Sequence, residues 1–374
     1  MKKRITSVLL VLALCLTLLP TAALAADHAA ADHDNTSKFT KLYMDDATNK
    51  LMKGGEAWES RTIRTDSADV KGYLLDTGTY YLAGDLTLDD PIIIKGSVTL
   101  CLNGHTITYE GNNESAISLE NFGVNTHLIL TDCSTNADHL GMISGGKGKV
   151  VMMQGHSQLD MYGGTITGCS NGNGVLVSSG CTFNMYGGKI TGNGGWGVDI
   201  SDGTFDMSGG TITGNTSYGV HVGRYYNDNS NVFKVSGGAT VTGNGTEGTA
   251  KNVYLDNGQT IHVTGEFTGT IGVTAYDKSG TIVTPADASY IDTSKINKIF
   301  SSDDGAFGIS TDDSGNIVLK EHNWEYTATD KNTITATCKD CHVSGGSVTI
   351  TAPAEDTLTY NGKAKPATVT ETKW

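Results

Sequence analysis

At 374 residues the chain is long enough for more than one domain. Its 48 glycines against 5 prolines fit a turn-rich β architecture and exclude a proline-rich disordered chain. A formal charge of −14 argues against nucleic acid and anionic membrane surfaces as partners. It permits a divalent cation such as Ca²⁺ without indicating one.

Residues 1–25 read as a secretory signal: Lys2, Lys3 and Arg4 form a basic start, Val8 to Leu19 an apolar run, and Ala23-Leu24-Ala25 a small-residue cleavage site. The apolar run is too short to span a bilayer, and no other stretch is apolar enough, so the mature chain is expected to have no membrane span and to be exported. Residues 26–72 read as a polar leader and N-terminal cap. His28 and His33 lie among acidic residues there, which fits a solvated leader better than a metal site. The spacing of Leu42, Tyr43, Ala47 and Leu51 predicts a helix within Phe39–Met52 that covers the open end of the following domain.

From Tyr73 to about Lys320 the pattern becomes that of strands. LDMYGGTITG at Leu159, FNMYGGKITG at Phe183, FDMSGGTITG at Phe205 and FKVSGGATVTG at Phe233 can be laid over one another. Their Gly-Gly pairs begin at Gly163, Gly187, Gly209 and Gly237, a period that marks a solenoid. Within one repeat, Val198 and Ile200, then Phe205 and Met207, then Ile212 alternate with polar residues and are separated by glycine turns, giving three short strands per coil. Val175/Val177, Val220/Val222 and Val253/Leu255 keep the register of the first strand. The apolar set points inward, and the whole is expected to be an all-β right-handed parallel β-helix. Asn193, Asn215 and Asn244 recur at one corner and are expected to form an internal amide ladder. Leu102 and Ile107 have the spacing of Met161 and Ile166 and are predicted to begin the same ladders. Cys169 falls at the asparagine corner, Cys181 at another, and Cys101 and Cys133 are out of register, so these four thiols are expected to be unpaired. Cys101 and Ile129 are apolar at outward positions, where the N-terminal cap is expected to cover them.

The run YYLAGDLTL, VTLCLNGHTIT, LILTDCS and GMISGG, followed by the GGTITGN repeats, resembles bacterial exported parallel β-helix proteins of the pectin-lyase-like superfold over Tyr73 to Leu319. The resemblance implies a surface or secreted protein, most of whose relatives have no assigned activity, and a closing segment over Val253–Leu319. Residues 321–374 resemble short β-sandwich repeats of bacterial surface proteins, with TYNGKAKPATV opening an Ig-like unit. That unit stops at Trp374 after about two strands, where a sandwich needs about seven, so the chain reads as a fragment whose wall anchor would lie beyond it.

Candidate chemistry is sparse. Asp199, Asp202 and Asp206 are expected to point outward near one turn, with Asp160 two coils away, an arrangement suited to acid–base work or Ca²⁺ but more simply a solvated acidic face. The polygalacturonase-type NTD, DD, GHG and RIK segments are absent. The loop Gly223–Asn231 (GRYYNDNSN) departs most clearly from the repeat, beside the strand positions of His221 and Asp199. Arg224 offers a planar fork for a carboxylate, and Tyr225 and Tyr226 offer apolar faces with polar tips. Tyr162, Tyr186, Trp196 and Tyr218 are placed to extend such a surface. Cys338-Lys-Asp-Cys341-His342 matches the c-type haem attachment pattern without a helical surround, and with His322 it supplies the donors of a zinc site. A local disulfide or a free pair is the simpler reading. No catalytic residue is assigned and no cofactor is expected, Ca²⁺ and Zn²⁺ being permitted only. The sequence points to a non-enzymatic secreted or cell-surface protein for adhesion or contact with a glycan or host-surface ligand, through Arg224, Tyr225, Tyr226, Asp199 and Asp202. The alternatives are a polysaccharide lyase or glycoside hydrolase of this fold, or a passive stalk.

Overall fold

A computed structural model describes residues 39–371, apart from 49, 65–68, 121, 124, 135–139, 224–230, 279, 331 and 352–367. The stretch 1–25 read as a signal and the predicted leader to residue 38 lie outside the described residues. What is described is nearly all β: a parallel β-helix solenoid followed by a separate antiparallel sheet.

The three strands of each coil stack in the register that the repeat implies. Val175, Val198, Val220 and Val253 are partners along the first strand, Leu159, Phe183, Phe205, Phe233 and Ile261 along the second, and Ile143, Ile166, Ile190, Ile212 and Val241 along the third. Every one of these side chains is fully buried. Phe183, Phe205 and Phe233 stack ring on ring, with centroids 4.7 and 5.2 Å apart. The glycine pairs turn the chain between second and third strands. Gly188 and Gly210 have φ of 82° and 80°, and a Cβ at either would meet the methyl of Met161 or Met185 at 2.6 Å.

The asparagine corner is a continuous buried chain of amides. Asn193 Nδ2 donates to Asn215 Oδ1 and Asn215 Nδ2 to Asn244 Oδ1, each at 2.9 Å, while the same Nδ2 groups also reach turn carbonyls such as Thr191 and Ile190. The ladder runs further than the repeat suggests. Cys169 N donates to Asn193 Oδ1 at one end, and Asn252 continues the other end to the Asp303 carboxylate.

Three expectations are corrected. Phe39–Met52 is no helix: Thr40–Asp45 and Lys50–Lys53 form an antiparallel hairpin whose first strand pairs in parallel with Gly78–Leu82. The first coil leaves a row of strand N–H and C=O groups that only another strand can satisfy, and that demand outweighs a weak helical spacing. Leu42 still points into the core, as a cap residue should. The register neighbour of Met161 is Leu130 and then Leu100, so Leu102 does not begin that ladder. It fills the corner before the Asn103-Gly104 turn, where both residues have positive φ. Cys101 and Cys133 are disulfide-bonded, with Cα atoms 6.5 Å apart. Cys101 pairs across strands with Thr131, but the chain turns just beyond it: Asp132 accepts from the amides of Gly104 and Gly141 at 2.8 and 2.7 Å and folds Cys133 back. Cys101 is fully buried at this disulfide, and Ile129 is half-buried between Thr99 and Asp160. Cys169 and Cys181 are free and buried.

At the far end, Gly280–Pro285 is the last strand stacked in parallel on that face, and the hairpin Phe307–Thr311/Ile317–Glu321 closes it antiparallel. Trp324–Ala328, Thr333–Cys338, Ser344–Thr351 and Thr368–Glu371 then make a four-stranded antiparallel sheet. Most of TYNGKAKPATV lies outside the described residues.

Two outcomes follow. Ile212→Asp places an unpaired charge inside a fully buried ladder and should cost at least about 3–5 kcal/mol, whereas Thr211→Asp, half-exposed beside Lys189, should cost less than about 1 kcal/mol. Urea unfolding followed by β-sheet circular dichroism checks both, and equal destabilisation would refute the register. Asn215→Ala should cost about 2–4 kcal/mol by removing the acceptor of the Asn193 main-chain amide and side chain and one donor to Asn244 Oδ1. A loss under about 1 kcal/mol in the same measurement would show that the ladder is dispensable.

Candidate ligand-binding surface

The register that stacks valines inward also stacks the residues between them outward. Along the first strand these are Leu176, Asp199, His221, Tyr254 and Thr274. His221 Nδ1 lies 2.9 Å from Asp199 Oδ1, and its Nε2 lies 3.7 Å from Asp256 Oδ1. Asn173 Nδ2 donates to the other Asp199 oxygen at 3.3 Å, and Asn173 Oδ1 accepts from the Trp196 amide. The Trp196 ring covers His221 at 4.2 Å between centroids. Tyr254 lies 5.9 Å from His221 and 4.7 Å from Tyr218, over which Lys251 places its ammonium at 5.5 Å. The result is a ridge of four rings across adjacent coils, with carboxylates at its flank. Burial, and then each ring's neighbours, raise the hydroxyl pKa of Tyr218 and Tyr254, so both remain hydrogen-bond donors at neutral pH.

Although it sits on the outer face, Asp199 is only 5% exposed. The rings and the imidazole of the next coil shut it from water, and it depends on His221 and Asn173 for compensation.

Of the residues singled out from sequence, Arg224, Tyr225 and Tyr226 lie outside the described residues. The neck of their loop is described: Asn231 donates through Nδ2 to the Gly223 carbonyl and accepts through Oδ1 from the Asp202 amide. Asp202 stands at that corner in a left-handed conformation, φ 64°. The corner of the next coil carries Gln259, whose buried Nε2 has no partner among the described residues. Trp196 and Tyr218 join the ridge. Tyr162 and Tyr186 do not; they stack on one another at 4.7 Å, each directly following a strand of the other sheet.

The acidic cluster is split. Asp199 is on the sheet of first and third strands, Asp202 at a turn and Asp206 on the other sheet, and they form no metal-holding group among the described residues. Asp160 is committed elsewhere. Burial works to raise its pKa, but His127 at 2.9 Å, Gln158 and Asn184 outweigh it and hold the carboxylate below its ordinary range. Burial pushes Asp206 up, against the opposing charge of Lys234. Asp160 engages both its oxygens within the protein, which suits a structural network rather than a catalytic base.

Tyr254 and Asp256 are site residues that the sequence reading passes over, although Val253 and Leu255 flank Tyr254 in the register already drawn. Compared with known protein families, curated proteins and solved structures, the chain matches none.

If Asp199 and His221 act as one buried unit, a double-mutant cycle with Asp199→Ala and His221→Ala should give a coupling of about 1–3 kcal/mol in unfolding free energy. The single His221→Ala change is expected to cost more than the same change made in the Asp199→Ala background. A coupling below about 0.5 kcal/mol would separate the two residues.

Proposed function

We propose that this is a secreted or cell-surface, non-enzymatic right-handed parallel β-helix protein that contacts a glycan through the ridge of Trp196, His221, Tyr254 and Tyr218. The observation that carries this reading is the ridge itself. Rings on three successive coils present apolar faces with hydrogen-bonding edges, flanked by Asp256 and the neck of the loop holding Arg224, Tyr225 and Tyr226. Sugars offer both C–H faces and hydroxyls, and a rigid aromatic surface with polar tips suits both. Export is supported by the first 25 residues and by the Cys101–Cys133 disulfide, which belongs to an oxidising compartment. Placement among bacterial pectin-lyase-like surface proteins rests on the CLNGHTI and LTDCS segments together with the parallel solenoid. No helix among the described residues is long and apolar enough to cross a membrane.

The test is a glycan array probed with the full chain, including uronate- and sialate-bearing glycans, run beside assays for new reducing ends and unsaturated products. Binding without turnover is expected. Trp196→Ala and Tyr254→Ala should each weaken the selected glycan by about thirtyfold, the loss of an anchor of about 2 kcal/mol, with unchanged melting. Turnover would replace this reading with a carbohydrate-active enzyme, and unchanged affinity in both variants would remove the ridge from the site.

A further inference from the structure

The second place where chemistry-bearing side chains meet is the junction between the solenoid and the C-terminal sheet. His322 follows the last solenoid strand, Ile317–Glu321, and Cys338 and Cys341 bracket the turn after Thr333–Cys338. The antiparallel pairing of Trp324 with Cys338 brings the linker alongside that turn. His322, Cys338 and Cys341 place their ligand atoms within 4.8 Å of one another, and Cys341 Sγ lies 3.3 Å from His322 Nδ1. A tetrahedral zinc with ordinary bond lengths needs sulfur–nitrogen edges of about 3.6 Å and a sulfur–sulfur edge of about 3.8 Å. The three atoms therefore need only small movements to close on a metal. Both thiols are nearly fully buried yet unbonded to each other, while the chain does form a disulfide elsewhere.

The surroundings are built for these atoms. The turn is locked by Cys338 N to Val343 O and His342 N to Cys338 O, each 2.9 Å. Asn297 of the closing segment donates to the Cys341 carbonyl at 2.7 Å. Gly308 lies beneath: a Cβ there would meet Cys341 Sγ at 2.5 Å and His322 Cε1 at 2.8 Å. The Trp324 ring stacks on His322 at 4.4 Å and fixes its plane.

We infer that His322, Cys338 and Cys341 form a zinc site that ties the C-terminal sheet to the closing end of the solenoid. Among the described residues no fourth His, Cys, Asp or Glu joins the group, so water or a ligand from outside completes four-coordination. Zinc enters as Zn²⁺, takes two thiolates and a neutral imidazole, and displaces the thiol protons to solvent. No electron is transferred. A local disulfide would use the same cysteines but would leave the glycine gap and the aimed imidazole without a purpose.

The test uses the full chain without a polyhistidine tag. Elemental analysis should find one zinc per chain, and Co²⁺ added to the metal-free protein should give a thiolate charge-transfer band together with a change in tryptophan fluorescence through Trp324. Cys338→Ser and Cys341→Ser should each weaken zinc by about a hundredfold or more, since even loss of a supporting contact costs tenfold to a hundredfold. Cys169→Ser with Cys181→Ser should leave it unchanged. Gly308→Ala keeps all three ligands and should weaken the metal by crowding them, with the solenoid's circular dichroism intact. Three results would overturn the inference: no metal and no charge-transfer band in the wild-type chain, full binding by the Cys338→Ser/Cys341→Ser double variant, or a Cys338–Cys341 disulfide in protein isolated without reductant that leaves zinc unbound.

Discussion

A strand in a parallel coil cannot satisfy its own backbone. Its N–H and C=O groups point along the solenoid axis, and only the coil before and the coil after can pair them. Each coil is too small to fold alone, and each is held by its neighbours. Two features follow. The register must be kept to the residue, because a one-residue slip would turn the Val, Phe and Ile ladders outward. The two ends must also be closed. Here both are closed by antiparallel hairpins, Thr40–Asp45 with Lys50–Lys53 at one end and Phe307–Thr311 with Ile317–Glu321 at the other. The turns obey the same constraint: a corner that buries carbonyls needs its own donors, and the amides of Asn193, Asn215 and Asn244 supply them one coil at a time.

The same register organises the outer surface. The parallel pairing sets each outward residue against its counterpart in the next coil, so a line of outward side chains is a by-product of the fold. What occupies the line is free to vary: Met152 and Leu176 precede Asp199 on it, and Thr274 follows Tyr254. At Asp199, His221 and Tyr254 it is a carboxylate, an imidazole and a phenol in succession, with Trp196 and Tyr218 brought in from the preceding turns.

The interior of the solenoid is legible because it repeats. Gly-Gly at near-constant steps, flanked by alternating Phe/Met and Thr-Ile-Thr, fixes three strands, their inward faces and the asparagine corner without reference to anything distant. What is not legible is what happens once. Leu42 and Leu51 carry a helical spacing, and only the unpaired edge of Gly78–Leu82 makes that segment a strand. Cys101 and Cys133 stand out of register, and only the turn held by Asp132 brings them together. At the candidate site, Asp199 and His221 could be placed side by side from the valines around them, and Tyr254 by the same rule. The donors of the group at His322 could be named from the sequence, but not their meeting, nor that His342 stays outside it, because Cys338 and Cys341 lie next to one another in the chain and His322 does not. The partner lies across a hairpin whose pairing no repeat dictates.

Asp199 is where the fold and the proposed function meet. An outward carboxylate on a solenoid face ordinarily sits in water and costs nothing. This one is 5% exposed, held between Asn173 and a His221 imidazole that Trp196 covers. Burying it carries a desolvation penalty that Thr or Ser at the same position would avoid, and the inner ladder gains nothing in return. The compensation is local: His221 on one oxygen, Asn173 on the other, and Asn173 in turn held by the amide of Trp196. That closed set fixes the imidazole's ring plane and leaves Nε2 directed towards Asp256 at the solvent edge. Stability alone does not ask for a buried carboxylate whose main effect is to orient an imidazole beneath an indole. On the proposed reading, presentation of a rigid polar edge within an aromatic ridge does.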